Sequence, residues 1–241
     1  MTRNAARQLS ALALVMGFAV AVSNPAWADG TAIDKVYNPY VQMLENEIEY
    51  RFLLQDDDGS WSASRHKLGF GRALSDRFFV ELYAMGSDGP GQDMQFDAVE
   101  AELKWQLTEQ GEYDYDWGLL FELERSARHD VWEASTTLIV LREWPRWIAT
   151  GNLSLAHEWG GGIANEWETA FAGQLRYRHR QHLEPALEMY LGQDTRGVGP
   201  VLTGMHRFGG GKTLGWEFGV IVAVDTPTPD TNWKLTLEYE F

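Results

Sequence analysis

The stretch TNWKLTLEYEF, Thr231 to Phe241, alternates without a break: Trp233, Leu235, Leu237, Tyr239 and Phe241 fall on one face, and Lys234, Thr236, Glu238 and Glu240 on the other. Period-two alternation over eleven residues is the signature of a β-strand with one apolar and one polar face. Two solutions satisfy it. Either the apolar face meets a second sheet in a sandwich, or it meets lipid and the polar face lines the inside of a barrel.

The same alternation returns along the chain. Ile48, Tyr50, Phe52 and Leu54 oppose Glu47, Glu49 and Arg51; here a helical spacing of Val41, Leu44, Ile48 and Phe52 fits equally well. Phe78, Val80, Leu82 and Ala84 oppose Glu81. Val99, Ala101, Leu103 and Trp105 oppose Glu100, Glu102 and Lys104, and Trp117, Leu119, Phe121 and Leu123 enclose Glu122 and Glu124. Further sets run through Trp132–Val140, Leu153–Leu155, Trp167–Tyr177, Leu187–Leu191, Val201–Met205 and Leu214–Val224. Turn residues separate them, as in Asp56-Asp57-Asp58-Gly59, GSDGPGQD (86–93) and TPTPD (226–230). The count is about twelve strands, an even number. Trp105, Trp117, Trp132, Trp147, Trp167, Trp216 and Trp233 fall near strand ends on the apolar face, where a membrane interface places its aromatic girdles.

The N-terminus fits export. Arg3 and Arg7 precede an apolar run from Leu9 to Val22 and the sequence Asn24-Pro-Ala-Trp-Ala28, the pattern of a cleaved secretory signal peptide over residues 1–28. Residues 29–40 lack periodicity and are expected to form a periplasmic lead-in, with the barrel over 41–241. No cysteine occurs in the 241 residues, so neither disulfides nor thiolate metal sites contribute. A formal charge of −15 argues against nucleic acid, whose phosphates are neutralised by Lys and Arg.

A closing strand that ends on a terminal Phe resembles the last strand of bacterial outer-membrane β-barrels. That resemblance implies that a barrel-assembly machinery reads Trp233, Tyr239 and Phe241. The segments KVYNPYVQMLENEIEYRF (35–52), GRALSDRFFVELYAMG (71–86), LTEQGEYDYDWGLLFELE (107–124), LEPALEMY (183–190) and LTLEYEF (235–241) are similar to largely uncharacterised proteobacterial outer-membrane proteins. More loosely they resemble the transporter family of the phenol meta-pathway, in which a turn like Ala73-Leu74-Ser75-Asp76-Arg77 recurs. The expected fold is therefore all-β: a transmembrane antiparallel up-and-down barrel in a Gram-negative outer membrane, with both termini periplasmic and lipid and lipopolysaccharide around it.

Its lumen face would carry Glu47, Glu49, Arg51, Glu81, Glu100, Glu102, Lys104, Glu122, Glu124, Arg176, Arg178, Arg180, Glu217, Lys234 and Glu238. Two readings remain open. One is a passive, cation-preferring channel for small polar or aromatic solutes; the other is a barrel filled by its own ion pairs, with a structural or docking role. A lipid hydrolase is disfavoured. Ser64 and His66 share a face, but neighbours two apart on a strand stand about 7 Å from one another. No cofactor is expected, and neither His179 with His182 nor Asp56, Asp57 and Asp58 makes a convincing metal set. GGGIAN (160–165) and FGGGKT (208–213) read as turns.

Overall fold

The computed structural model describes residues 33–241; the expected signal peptide and residues 29–32 lie outside them. Twelve strands run β1 Asn46–Asp57, β2 Ser60–Ala73, β3 Phe78–Gly89, β4 Gln92–Gln106, β5 Asp116–Ser126, β6 Val131–Glu143, β7 Trp147–Gly160, β8 Glu166–Tyr177, β9 Glu184–Leu191, β10 Arg196–Gly209, β11 Lys212–Ala223 and β12 Thr231–Glu240. Each pairs antiparallel with its sequence neighbours, and β1 pairs with β12 to close the barrel. The ambiguous stretch after Val41 is thus a strand. At the seam Glu47 faces Glu240 and Tyr50 faces Leu237, and Asn46 and Phe241 exchange backbone hydrogen bonds of 3.2 and 2.9 Å. No backbone edge is left along the seam.

Strand parity sends the expected apolar set outward. Leu68, Leu82, Leu153 and Leu187 are each more than half exposed, a surface that water does not tolerate as one continuous band and that hydrocarbon does. Two aromatic belts bound this band. Trp105, Trp117 and Trp147 sit at the end where β1 starts and β12 stops, the terminal end, with Trp147 packed on Tyr177 at 4.9 Å. Trp132, Trp159, Trp167 and Trp233 sit at the opposite end. The connections alternate between the ends, and the longest, residues 107–115 and 178–183 at the terminal end and 224–230 at the other, are too short to fold deep into the lumen.

β10 departs from the expected parity. Val201 is buried and faces inward against Tyr190 and Ile221, whereas Leu202 is the exposed member. A strand broken by Gly197, Gly199 and Gly204 gives a weak alternation signal, and a one-residue slip exchanges the faces.

Residues 33–41 supply what the lead-in reading did not contain. They run inside the barrel. Ile33, Tyr37 and Pro39 are buried; Ile33 packs with Leu53, Tyr190, Val201 and Ile221, and Tyr37 with Leu120 and Ile139. Pro39 lies so close over Gly118 that a Cβ there would stand 2.9 Å from it. Leu44 then takes a left-handed φ of 70° and turns the chain into β1.

The two faces should respond differently to charge. Leu119→Arg or Phe218→Arg places a cation on the lipid face and should cost about 2–4 kcal/mol near the midplane, read by denaturant unfolding in liposomes. Glu122→Gln should be nearly neutral in the same assay. Glu217 is no equivalent control, because its carboxylate holds Lys234 at 2.8 Å.

Candidate functional site

The lumen is organised around the internal segment. The Asp34 carboxylate meets Arg51 at 2.6 Å and approaches Lys67 at 3.9 Å. Its backbone carbonyl accepts from the Tyr190 hydroxyl at 2.8 Å and from Lys234 Nζ at 2.5 Å. Lys35 bridges Glu49, at 2.5 Å, and Glu238. Tyr37 is held at both ends. Its backbone N–H donates to Asn152 Oδ1 at 2.7 Å and its carbonyl accepts from Asn152 Nδ2 at 3.0 Å, while its hydroxyl donates to Glu102 at 2.9 Å and accepts from Arg51 at 2.8 Å. Nearer the terminal end, Tyr40 donates to Asp116 at 2.7 Å and Val41 N–H to Gln106 Oε1 at 2.7 Å. Burial, then the bond to Asp116, pushes the Tyr40 phenol well up, so it remains a neutral donor.

Cations of the wall complete the network. Arg51 stacks between the Tyr37 and Tyr83 rings, 5.1 and 5.0 Å from their centroids, and bonds Glu49 and the Tyr83 hydroxyl. Tyr83 lies flat because its partner Gly69 has no Cβ; one would fall 2.3 Å from the ring. Lys67 bonds Glu100 at 2.6 Å and Glu102 at 3.0 Å. Lys234 bonds Glu188 at 2.9 Å and Glu217 at 2.8 Å. These charges tolerate burial because each is paired and hydrogen-bonded.

The expected lumen residues divide into three groups. Glu47, Glu49, Arg51, Glu81, Glu100, Glu102 and Lys234 are buried on the inner face, and Lys104, Glu122, Glu124, Arg176, Glu217 and Glu238 are half-buried there. Arg176 pairs with Glu184 at 3.4 Å and Arg178 with Glu143 at 2.5 Å. Arg180 lies past the end of β8, exposed, in an isolated bridge to Leu183, so no three-arginine row lines the wall. At the other end of the barrel, Glu124 stands opposite Glu133, Glu133 opposite Glu158 and Glu158 opposite Glu166. This puts four carboxylates side by side across the adjacent strands β5 to β8.

Of the terminal set, Trp233 packs outward on Phe218 at 6.0 Å and Tyr239 stacks on Phe241 at 5.7 Å. Ser64 and His66 come closer than their backbone spacing suggests. The histidine side chain spans the gap, leaving Ser64 Oγ 3.2 Å from Nε2, with Tyr50 on Nδ1 at 2.7 Å. Ser64 is only 4% exposed and its hydroxyl donates to Asp88. A nucleophile needs access that this serine lacks.

These features together fix the architecture: a closed even-stranded barrel, a lipid-compatible belt and a charged interior. The fold is that of an outer-membrane β-barrel. No protein-family model matches the chain, so the resemblance to the phenol meta-pathway transporters is not confirmed, and no curated protein matches its sequence. Solved structures do match. An outer membrane channel from Pseudomonas putida F1 is 14% identical, with a TM-score of 0.57 over 86% of this chain and 98% of that one. The KdgM porin in complex with disordered oligogalacturonate is 11% identical, with a TM-score of 0.54 over 81% and 99%. The translocator domain of the autotransporter NalP from Neisseria meningitidis is 11% identical, with a TM-score of 0.52 over 99% and 95%.

The internal segment was missed in the sequence because it has no periodicity of its own. A signal for it does exist on the wall: Leu53, Leu120, Ile139, Leu141, Ile148 and Ile221 are apolar and buried at inward positions that a water-filled lumen would leave polar.

Removing the wall cation that serves both Asp34 and Tyr37 should be costly. Arg51→Met should destabilise the barrel by about 3–5 kcal/mol, since it strands buried carboxylates. Asn152→Ala should cost about 1–3 kcal/mol through the unpaired Tyr37 backbone groups. Denaturant unfolding of the refolded protein measures both.

Proposed function

We propose that the chain is an outer-membrane channel whose passage is occupied, and so controlled, by its own residues 33–41. The observation that carries this is the seating of Asp34, Tyr37 and Tyr40 on the inner wall through hydrogen bonds and ion pairs rather than through apolar packing alone. Such contacts can be exchanged for water when the segment moves, whereas a dry apolar plug has no such alternative. The likeness to a channel and a porin supports the reading. In it, Trp233, Tyr239 and Phe241 form the signal read by the barrel-assembly machinery, and the end at which β1 starts and β12 stops faces the periplasm; Ile33, packed near the other end, gives no support to the expectation that the N-terminus lies there too.

The passage prefers cations. The row of Glu124, Glu133, Glu158 and Glu166 on β5 to β8 forms an acidic patch on one wall that raises local cation concentration and repels anions. Small polar or aromatic solutes fit a lumen lined by paired charges and by Tyr37, Tyr83 and Tyr190, but no residue set singles out one of them.

In planar bilayers the wild-type chain should show low, intermittent conductance. The double variant Asp34→Ala with Tyr37→Ala should open severalfold more often. Because the chain has no cysteine, cysteines placed at 37 and 152 and joined by a short bifunctional thiol reagent should hold it closed. If the double variant inserts but never conducts, the barrel is filled and the channel reading fails. Under a salt gradient the reversal potential should be cation-selective, and Glu133→Gln with Glu158→Gln should weaken that selectivity.

A further inference from the structure

Three acidic triads lie on the inner wall, each offering ligand oxygens within 4.8 Å of one another: Glu100, Glu102 and Glu122; Glu47, Glu49 and Glu238; and Glu45, Glu47 and Glu240. The first two have a protein cation among them. Lys67 bonds Glu100 and Glu102, and Lys35 bridges Glu49 and Glu238. The third has none in ion-pair contact among the described residues. Lys35 is committed one rung away, and Lys104, the other nearby lysine, lies over the Phe79 ring at 5.2 Å.

The β1–β12 register sharpens the contrast. Glu47 is directly opposite Glu240 and Glu49 directly opposite Glu238, and like charges in cross-strand pairs are destabilising. The Glu49 rung is relieved by Lys35. On the Glu47 rung, Glu47 is 6% exposed and its Oε1 is buried with no hydrogen-bond partner. Among the described residues, a neutral contact to the rung comes from Thr213 Oγ1, which donates to Glu240 at 2.6 Å. A buried carboxylate with an empty acceptor position, grouped with two further carboxylates and with no cation in ion-pair contact, lacks a counter-charge.

We propose that Glu45, Glu47 and Glu240 hold a calcium ion at the seam of the barrel. Calcium accepts several carboxylate ligands at about 2.3–2.6 Å in a flexible sphere, with water filling its remaining positions, whereas magnesium keeps most of its water and is bound through one or two carboxylates. Three protein carboxylates converging on one spot suit the larger ion. The ion joins β1 to β12 through Glu47 and Glu240, and joins the seam to the root of the internal segment through Glu45. It takes the role on this rung that Lys35 takes on the next. The assignment holds whether or not the barrel conducts.

The test uses the full chain, purified in detergent, stripped with chelator and titrated with calcium chloride in a calorimeter. One equivalent should bind, at least tenfold more tightly than magnesium, and raise the melting temperature. Glu47→Gln should weaken calcium binding at least tenfold, while Glu112→Gln, in an exposed loop, should not. The melting order should also cross: Glu47→Gln above wild type in chelator, where one repelling charge is gone, and below it in calcium. Wild-type protein that takes up no calcium overturns the proposal whatever the variants do, and means that a proton occupies the rung. Unchanged calcium binding by Glu47→Gln, a melting order that does not cross, or magnesium binding as tightly as calcium overturns it too. Should Glu47→Gln fail to refold, Glu240→Gln takes its place in each comparison.

Discussion

The backbone hydrogen bonds between β1 and β12 are the constraint on which everything else depends. In hydrocarbon an unpaired N–H or C=O costs several kcal/mol, so twelve strands are admissible only if the last finds the first. Ten register pairs along that seam close the sheet, and its end is held by Asn46, the first residue of β1, bonded to Phe241 just past β12. Closure fixes the parity of every strand. It drives the leucines and tryptophans out to lipid, and as a direct result it drives the glutamates together in a confined interior.

That interior then has to be made electrically and sterically acceptable. Carboxylates outnumber the wall's lysines and arginines, and burial raises the cost of each one left alone. Three devices answer this. Arg51, Lys67 and Lys234 from the wall each serve several acids at once. Tyrosines 37 and 83 add neutral donors that satisfy a carboxylate oxygen each without changing the charge. The internal segment brings Lys35 to a rung that the wall leaves acidic, and Asp34 to a pair of wall cations. It also covers the inward apolar residues that would otherwise meet water.

Much of the barrel was legible in the sequence because a strand writes both of its faces into alternate residues. Leu119, Phe121 and Leu123 against Glu122 and Glu124 state which side is lipid without any knowledge of the neighbours. The reading failed where that code is weak: in β10, whose glycines dilute the alternation, and at Arg180, where the period was extended past the end of β8. The internal segment was not legible from its own residues. Its conformation is set by long-range partners, Asn152 and Tyr190 among them, and nothing in DKVYNPY (34–40) announces them. The inward apolar residues on five strands were the trace it left, visible only once parity is taken as settled and its exceptions are taken as a group.

Those exceptions also explain why the segment lies where it does. The inward apolar residues cluster at two levels: Leu53, Val201 and Ile221 around Ile33, and Leu120 and Ile139 around Tyr37. The paired charges of Asp34 and Lys35 fall between them along the segment. An alternation of apolar and charged contacts along one extended stretch allows a single register. Sliding the segment by one residue would set Asp34 or Lys35 against leucine and isoleucine, and would leave Arg51 or Glu49 without its counter-charge. The apolar contacts supply favourable burial that tolerates small shifts, whereas the ion pairs penalise any shift by several kcal/mol. The position of the segment is therefore specified by its charges and stabilised by its apolar residues. Any motion that releases it has to break the Asp34 and Tyr37 contacts together rather than one at a time.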